Sequence, residues 1–136
     1  MNYFYLTKVF HFNAAHQYGH KNWSPKKNEE IFGVDARLHG HNYVLEVMVK
    51  GSIDPATGYV VDLGQLKKIV NDFVINVLDH TRLEKDISWF KDKQPSSENL
   101  VMFIWGEISA RLDKGLYRLR LRETPSIFTD YYGPEI

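Results

Sequence analysis

No cysteine occurs among the 136 residues of this chain, which excludes a disulfide, a thiolate nucleophile and a thiolate metal ligand together. Any metal must be held by nitrogen and oxygen. Neither sign of charge is in excess, because 17 Lys and Arg cancel 17 Asp and Glu, and no net field steers the chain toward nucleic acid or an anionic membrane. A small anionic ligand remains compatible with local charge. No apolar run is long enough to span a bilayer, and Met1 to Lys8 lacks the charged region and long apolar stretch of an export signal. The expectation is a soluble, cytoplasmic protein with neither a membrane nor a nucleic-acid partner. Repeats and low-complexity tracts are also missing, and the length suits one domain over residues 1–136.

What the sequence does have is a set of histidines in a telling pattern. His16 ends the segment Phe10-His11-Phe12-Asn13-Ala14-Ala15-His16, and His39 and His41 form an H-x-H pair opening Asn42-Tyr43-Val44-Leu45-Glu46-Val47-Met48-Val49. Residues two apart on a strand share one face, so His39 and His41 can direct both rings at one ion, with His16 as third ligand. Three neutral nitrogens suit Zn²⁺ and leave a fourth position open, as in catalytic zinc sites. Singly, each of these histidines reads as an ordinary hydrogen-bonded residue at a strand end; His11 and His20 read as solvent-facing or loop residues.

Aromatic and β-branched residues over 3–16 favour a strand whose even-numbered face carries Phe4, Leu6, Phe10, Phe12, Ala14 and His16. A polar, turn-rich segment follows to about residue 38, with a short helix around Asn28 to Phe32. From Leu38 to Gly51 the alternation places His39, His41, Tyr43, Leu45, Val47 and Val49 on one face and Asn42, Val44, Glu46, Met48 and Lys50 on the other. Asp54 to Gly58 is a turn. Asp62, with Gln65 three residues on, caps a helix whose core stripe is Leu63, Leu66, Ile69, Val70, Phe73, Val74, Val77 and Leu78. A second helix starts at Ser96 or Ser97 and runs through Leu112 until Gly115 stops it. Two strands close the chain. Leu116 to Glu123 sets Tyr117, Leu119, Leu121 and Glu123 against Arg118, Arg120 and Arg122, and Ile127 to Tyr132 follows the Thr124-Pro125 turn. The order ββααββ predicts an α+β fold, a four-stranded antiparallel sheet with two helices on one face. Its bare face and edges call for association into a homo-oligomer.

Four further spots carry chemistry. Asp79-His80 is an adjacent acid and imidazole able to relay a proton near neutral pH, although a histidine at a helix end also simply complements the helix dipole. Asp35, four residues before His39, can act as a base on the loop entering the histidine strand. Glu123 extends an apolar face, where burying a carboxylate is costly without a partner; Arg120 and Arg122 point the other way, and a ligand offering two parallel N–H donors fits. Ser96-Ser97-Glu98-Asn99 is a helix cap that also presents hydroxyls and amides to a ligand.

Taken in order, Phe12-Asn13-Ala14-Ala15-His16, Asn28-Glu29-Glu30-Ile31-Phe32-Gly33, His39-Gly40-His41-Asn42-Tyr43, Gly58-Tyr59-Val60-Val61-Asp62, Leu78-Asp79-His80, Ser96-Ser97-Glu98-Asn99 and Glu123-Thr124 resemble the 6-pyruvoyltetrahydropterin synthase and 6-carboxytetrahydropterin synthase family over nearly the whole chain. The resemblance implies the tunnelling fold (T-fold), with subunits assembled into a barrel, usually a hexamer built as a dimer of trimers, and active sites between neighbours. It implies that His16, His39 and His41 bind Zn²⁺, that Asp79 and His80 belong to the proton relay, that Glu123 anchors a pterin, and that Thr124, Ser97 and Glu98 lie around it. It also implies a place in tetrahydrobiopterin or queuosine biosynthesis.

One departure bears on the reaction. Members of that family with synthase activity carry a cysteine base after Phe-Gly, and here Asp35 stands in that segment. Some relatives carry a glutamate there and resemble aldolases that release 6-hydroxymethyl-7,8-dihydropterin. The expected function is a zinc-dependent lyase acting on 7,8-dihydroneopterin triphosphate or a related pterin. The alternatives are retro-aldol cleavage with Asp35 as base, and a non-catalytic pterin-binding homologue. A cupin-like metal protein is a rival of another class, but Glu46 falls on the strand face opposite the histidines.

Overall fold

The computed structural model describes residues 2–135. Its frame is a long antiparallel pair, β1 (Phe4–His16) and β2 (His39–Gly51), in register from Phe4 opposite Gly51 to His16 opposite His39. Alternation sorts the side chains. Phe10, Phe12 and Ala14 of β1 and Tyr43, Leu45, Val47 and Val49 of β2 are buried on one face, while Asn13, Asn42, Val44, Glu46 and Lys50 occupy the other. On the far side of β2 lies β4 (Leu116–Thr124), with Leu119 opposite Val47 and Leu121 opposite Leu45, and β5 (Ile127–Tyr131) follows it.

The sheet has five strands rather than four, in the order β3-β1-β2-β4-β5. The additional β3 (Thr81–Arg82) runs parallel to the end of β1 beside Ala14 and Ala15, so the sheet is mixed and not wholly antiparallel. Two residues are too few for any alternation, which is why the sequence pattern does not disclose them.

Helices cover the apolar face. Ser24 accepts from the Lys27 amide and Pro25 opens α1 (Pro25–Phe32), which runs into a 3₁₀ turn over Gly33–Ala36. Asp62 accepts from the Gln65 amide at the start of α2 (Leu63–Val70), which continues through a π-helical turn, Asn71–Ile75, into α3 (Asn76–Leu78). The π turn alters the stripe expected from a plain α-period. Leu66, Ile69, Val70, Val74 and Leu78 are buried, but Leu63, Phe73 and Val77 are exposed. After α4 (Leu83–Asp86), Ser96 caps α5 (Ser97–Ser109), which packs Leu100, Val101, Phe103, Ile104 and Ile108 into the core. The helix ends six residues before Gly115, yet Leu112 beyond it is still buried.

A second correction concerns β4. Its pairing with β2 shifts between Met48 and Val49, so Leu116 opposes Val49 and Tyr117 leaves the apolar row. Tyr117 is exposed and packs edge-on against Tyr5 on the opposite face. No helix among the described residues is long and apolar enough to cross a membrane.

Candidate metal and ligand site

Strand register alone sets the first contact. His16 and His39 are direct cross-strand partners, and His41 stands one pair further on, opposite Ala14. Their rings converge, and one nitrogen from each of the three lies within 4.8 Å of the others. His16 is fully buried, while His39 and His41 are partly so.

Two backbone carbonyls orient the rings. His16 Nδ1 lies 2.8 Å from the Pro95 carbonyl oxygen and His39 Nδ1 lies 2.7 Å from that of Arg37. A carbonyl only accepts, so each Nδ1 carries the hydrogen and donates it, which leaves each neutral ring a lone pair on Nε2. Those two Nε2 atoms sit 2.9 Å apart, and His41 Nε2 is buried without a hydrogen-bond partner. Lone pairs aimed at one another repel unless a cation lies among them. The donor set therefore fits a divalent ion that takes imidazole nitrogen, Zn²⁺ among them. Burial pushes the His16 imidazole below its ordinary pKa, which the hydrogen bond to Pro95 partly offsets.

A carboxylate lies beside each of two of these histidines. Asp35, in the 3₁₀ turn, brings Oδ1 to 3.6 Å from His39 Nε2, and Glu123, at the end of β4, brings Oε1 to 3.9 Å from His41 Nε2. Ser97, the first residue of α5, points its hydroxyl at Glu123 Oε1 across 3.3 Å. Glu98 beside it is exposed. Arg120 and Arg122 do not serve Glu123: the first forms a two-pronged pair with Asp130 and the second meets Glu46, both on the other sheet face. Glu46 is accordingly no partner of the histidines, and the cupin-like pattern fails.

Asp79 and His80 lie apart. Asp79 accepts from the Asn13 amide and pairs with His80 Nδ1 at 2.9 Å, its carboxyl held below the ordinary range first by that amide and then by the imidazole. His80 has a left-handed backbone, φ 62°, and a side chain 80% exposed. Such a conformation is uncommon for a residue other than glycine. No hydrogen bond or ion pair of either group reaches the three histidines among the described residues. Thr124 spends its hydroxyl on the turn, accepting from the Ile127 amide.

Sequence reasoning overlooks a supporting set. Gln17, next to His16, donates Nε2–H to the Ala36 carbonyl and accepts from Arg82, while Glu84 receives the Gln17 amide and pairs with Arg82. One side chain thus ties the end of β1 to the turn carrying Asp35. Its only sequence signal is adjacency to His16. Tyr18 and Tyr43 flank His16, and burial, followed by the charge of Glu123, raises both hydroxyls above the ordinary tyrosine range. Each stays a neutral donor.

Comparison with known proteins bears on the chain as a whole. Residues 5–134 match the family model described as 6-pyruvoyl tetrahydropterin synthase. The 6-pyruvoyl tetrahydrobiopterin synthase of Poecilia reticulata is 38% identical over 132 residues, spanning 95% of this chain and 90% of that protein. The dihydroneopterin monophosphate aldolase of Pyrococcus furiosus is 37% identical over 114 residues, 82% of either chain. The solved structure of Caenorhabditis elegans 6-pyruvoyl tetrahydropterin synthase superposes with a TM-score of 0.92 at 33% identity, covering 98% of both chains.

Proposed function

Because the chain belongs to the 6-pyruvoyl tetrahydropterin synthase family, we propose that it is a zinc-dependent lyase acting on 7,8-dihydroneopterin triphosphate or a related pterin. The observation that carries this reading is the convergence of three imidazoles, with a carboxylate beside each of two of them. His16, His39 and His41 would hold Zn²⁺, which when bound polarises side-chain oxygens and stabilises the charge that develops on them.

The chain's own groups divide the remaining work. A pterin offers an amino group beside a ring N–H, and the Glu123 carboxylate can accept both hydrogen bonds. Ser97 steadies that carboxylate from α5, and Thr124 and Glu98 stand nearby in sequence to border the ring. Asp35, 3.6 Å from His39 Nε2, would take a proton from carbon in the substrate side chain. Asp79 and His80 would form the proton relay; their contacts are with the Asn13 amide and each other and not with their own histidines, so a neighbouring copy would supply it. That requirement favours a homo-oligomer, in the form of a barrel-shaped hexamer made of two trimers.

A second reading rests on Asp35 itself. A carboxylate base beside the metal site, with the likeness to an archaeal aldolase, supports retro-aldol cleavage to 6-hydroxymethyl-7,8-dihydropterin. Incubating zinc-loaded protein with 7,8-dihydroneopterin triphosphate and weighing the product separates the two outcomes. Absence of turnover together with tight pterin binding, and Asp35→Ala without effect, would leave a pterin-binding homologue. The pathway served is tetrahydrobiopterin biosynthesis on the first reading; queuosine biosynthesis would demand a carboxylated product.

A further inference from the structure

Tyr18 follows His16 by two residues, and its ring meets that imidazole edge-on with centroids 5.2 Å apart. It is held there from two sides. Its amide donates to the Asp35 carbonyl at 2.9 Å, and its ring packs against Phe32 with 5.6 Å between centroids. The charges of Glu123, Asp35 and Glu98 all act on its hydroxyl, so that oxygen lies in the field of the carboxylates beside His41 and His39.

Two phenols stand against His16, and they differ in what their oxygens do. Tyr43 is fully buried with its oxygen 3.4 Å from His16 Nδ1. Tyr18 is half-buried, and its hydroxyl meets no protein donor or acceptor among the described residues. Packing explains the Tyr18 ring and leaves the oxygen unexplained. A phenylalanine would serve equally against His16 and Phe32, without the cost of drawing a hydroxyl partly out of water. Room for a ligand exists on this side, because Tyr18 with Gln17 and Gly19 lines an open cavity of about 950 Å³.

We propose that Tyr18 is a further substrate-binding residue, whose hydroxyl donates a hydrogen bond to a hydroxyl or carbonyl oxygen on the side chain of a pterin held at the histidine site. The carboxylates around it only accept, and a neutral phenol supplies the O–H that they cannot. Glu123 takes the N–H pair of the ring in the function given above, which leaves the oxygens of the side chain for the group beside His16. The assignment rests on that pterin reading and deepens it by naming a side-chain contact.

Tyr18→Phe removes the oxygen and keeps both ring contacts. Zinc-loaded parent and variant are titrated with neopterin, which has a trihydroxypropyl side chain, and with 6-methylpterin, which lacks those oxygens, each followed by pterin fluorescence. Neopterin affinity is expected to fall about three- to tenfold in Tyr18→Phe, as for loss of one neutral hydrogen bond, while 6-methylpterin binds both proteins alike. Unchanged neopterin affinity would overturn the proposal. So would an equal loss for both ligands, which marks a packing defect or a contact with the ring. A parent that binds neither pterin would sink the pterin reading and this contact with it, an outcome distinct from a failure confined to Tyr18.

Discussion

His16 and His39 meet Nε2 to Nε2 at 2.9 Å, each with its other ring nitrogen committed to a backbone carbonyl. Two acceptors held that close destabilise the empty site, and a bound ion relieves them. Zinc added to chelator-treated protein is therefore expected to raise the melting temperature, by an amount equivalent to about 2.7 kcal/mol at a free concentration a hundredfold above Kd. In His39→Ala the increment should largely vanish. Calorimetry showing identical traces with and without zinc would refute the site.

Glu123 is the group assigned to the pterin ring. Replacing its carboxylate in Glu123→Gln removes a charge-assisted acceptor, worth about 1.5–3 kcal/mol. Pterin affinity should fall by about tenfold or more while zinc content, measured by atomic absorption, stays at the parent level. Equal losses of both would mean that Glu123 serves the metal.

On the opposite sheet face, the Arg120 guanidinium holds the Asp130 carboxyl below the ordinary carboxylate range. A depressed folded-state value stabilises the protein above the unfolded pKa, near 3.9, and that contribution is lost as pH falls through the folded value. Asp130→Asn should accordingly cost about 0.2–1 kcal/mol at neutral pH, with the gap from the parent closing below pH 4 or so. Urea titrations at several pH values measure it.

Gly115 turns the chain from α5 into β4 with φ 98°, and a Cβ there would come to 2.9 Å from Val49 Cγ1 and 3.2 Å from the Lys50 carbonyl oxygen. Strain and crowding together predict a loss of about 1–3 kcal/mol for Gly115→Ala. Its urea midpoint should fall with an unchanged slope; an unaltered midpoint would show that the turn relaxes freely.

Periodicity disclosed the parts of this fold that repeat. The faces of β1 and β2, the caps at Asp62 and Ser96, and the shared face of His39 and His41 all follow from alternation or from the spacing of a capping residue. What it missed depends on single departures from a period: the bulge that turns Tyr117 outward, the π turn that exposes Phe73, and the two-residue β3. The site shows the same division. His39 and His41 were legible as sharing one face because a strand has only two, and His16 ends the matching face of β1. The carbonyls of Arg37 and Pro95, and the bridge made by Gln17, belong to tertiary packing and leave no mark in local sequence.

The π turn at Asn71–Ile75 has a consequence for the acid–imidazole pair downstream of it. Winding this stretch wider takes up about one residue, and one residue of α-helix is roughly 100° of rotation. Only with that rotation does the final turn seat Leu78 inward and hand the Asp79 carboxylate to the Asn13 amide. The same residues coiled as a uniform α-helix would swing the tail round the axis by about that angle and carry the Asp79 carboxylate away from the Asn13 amide.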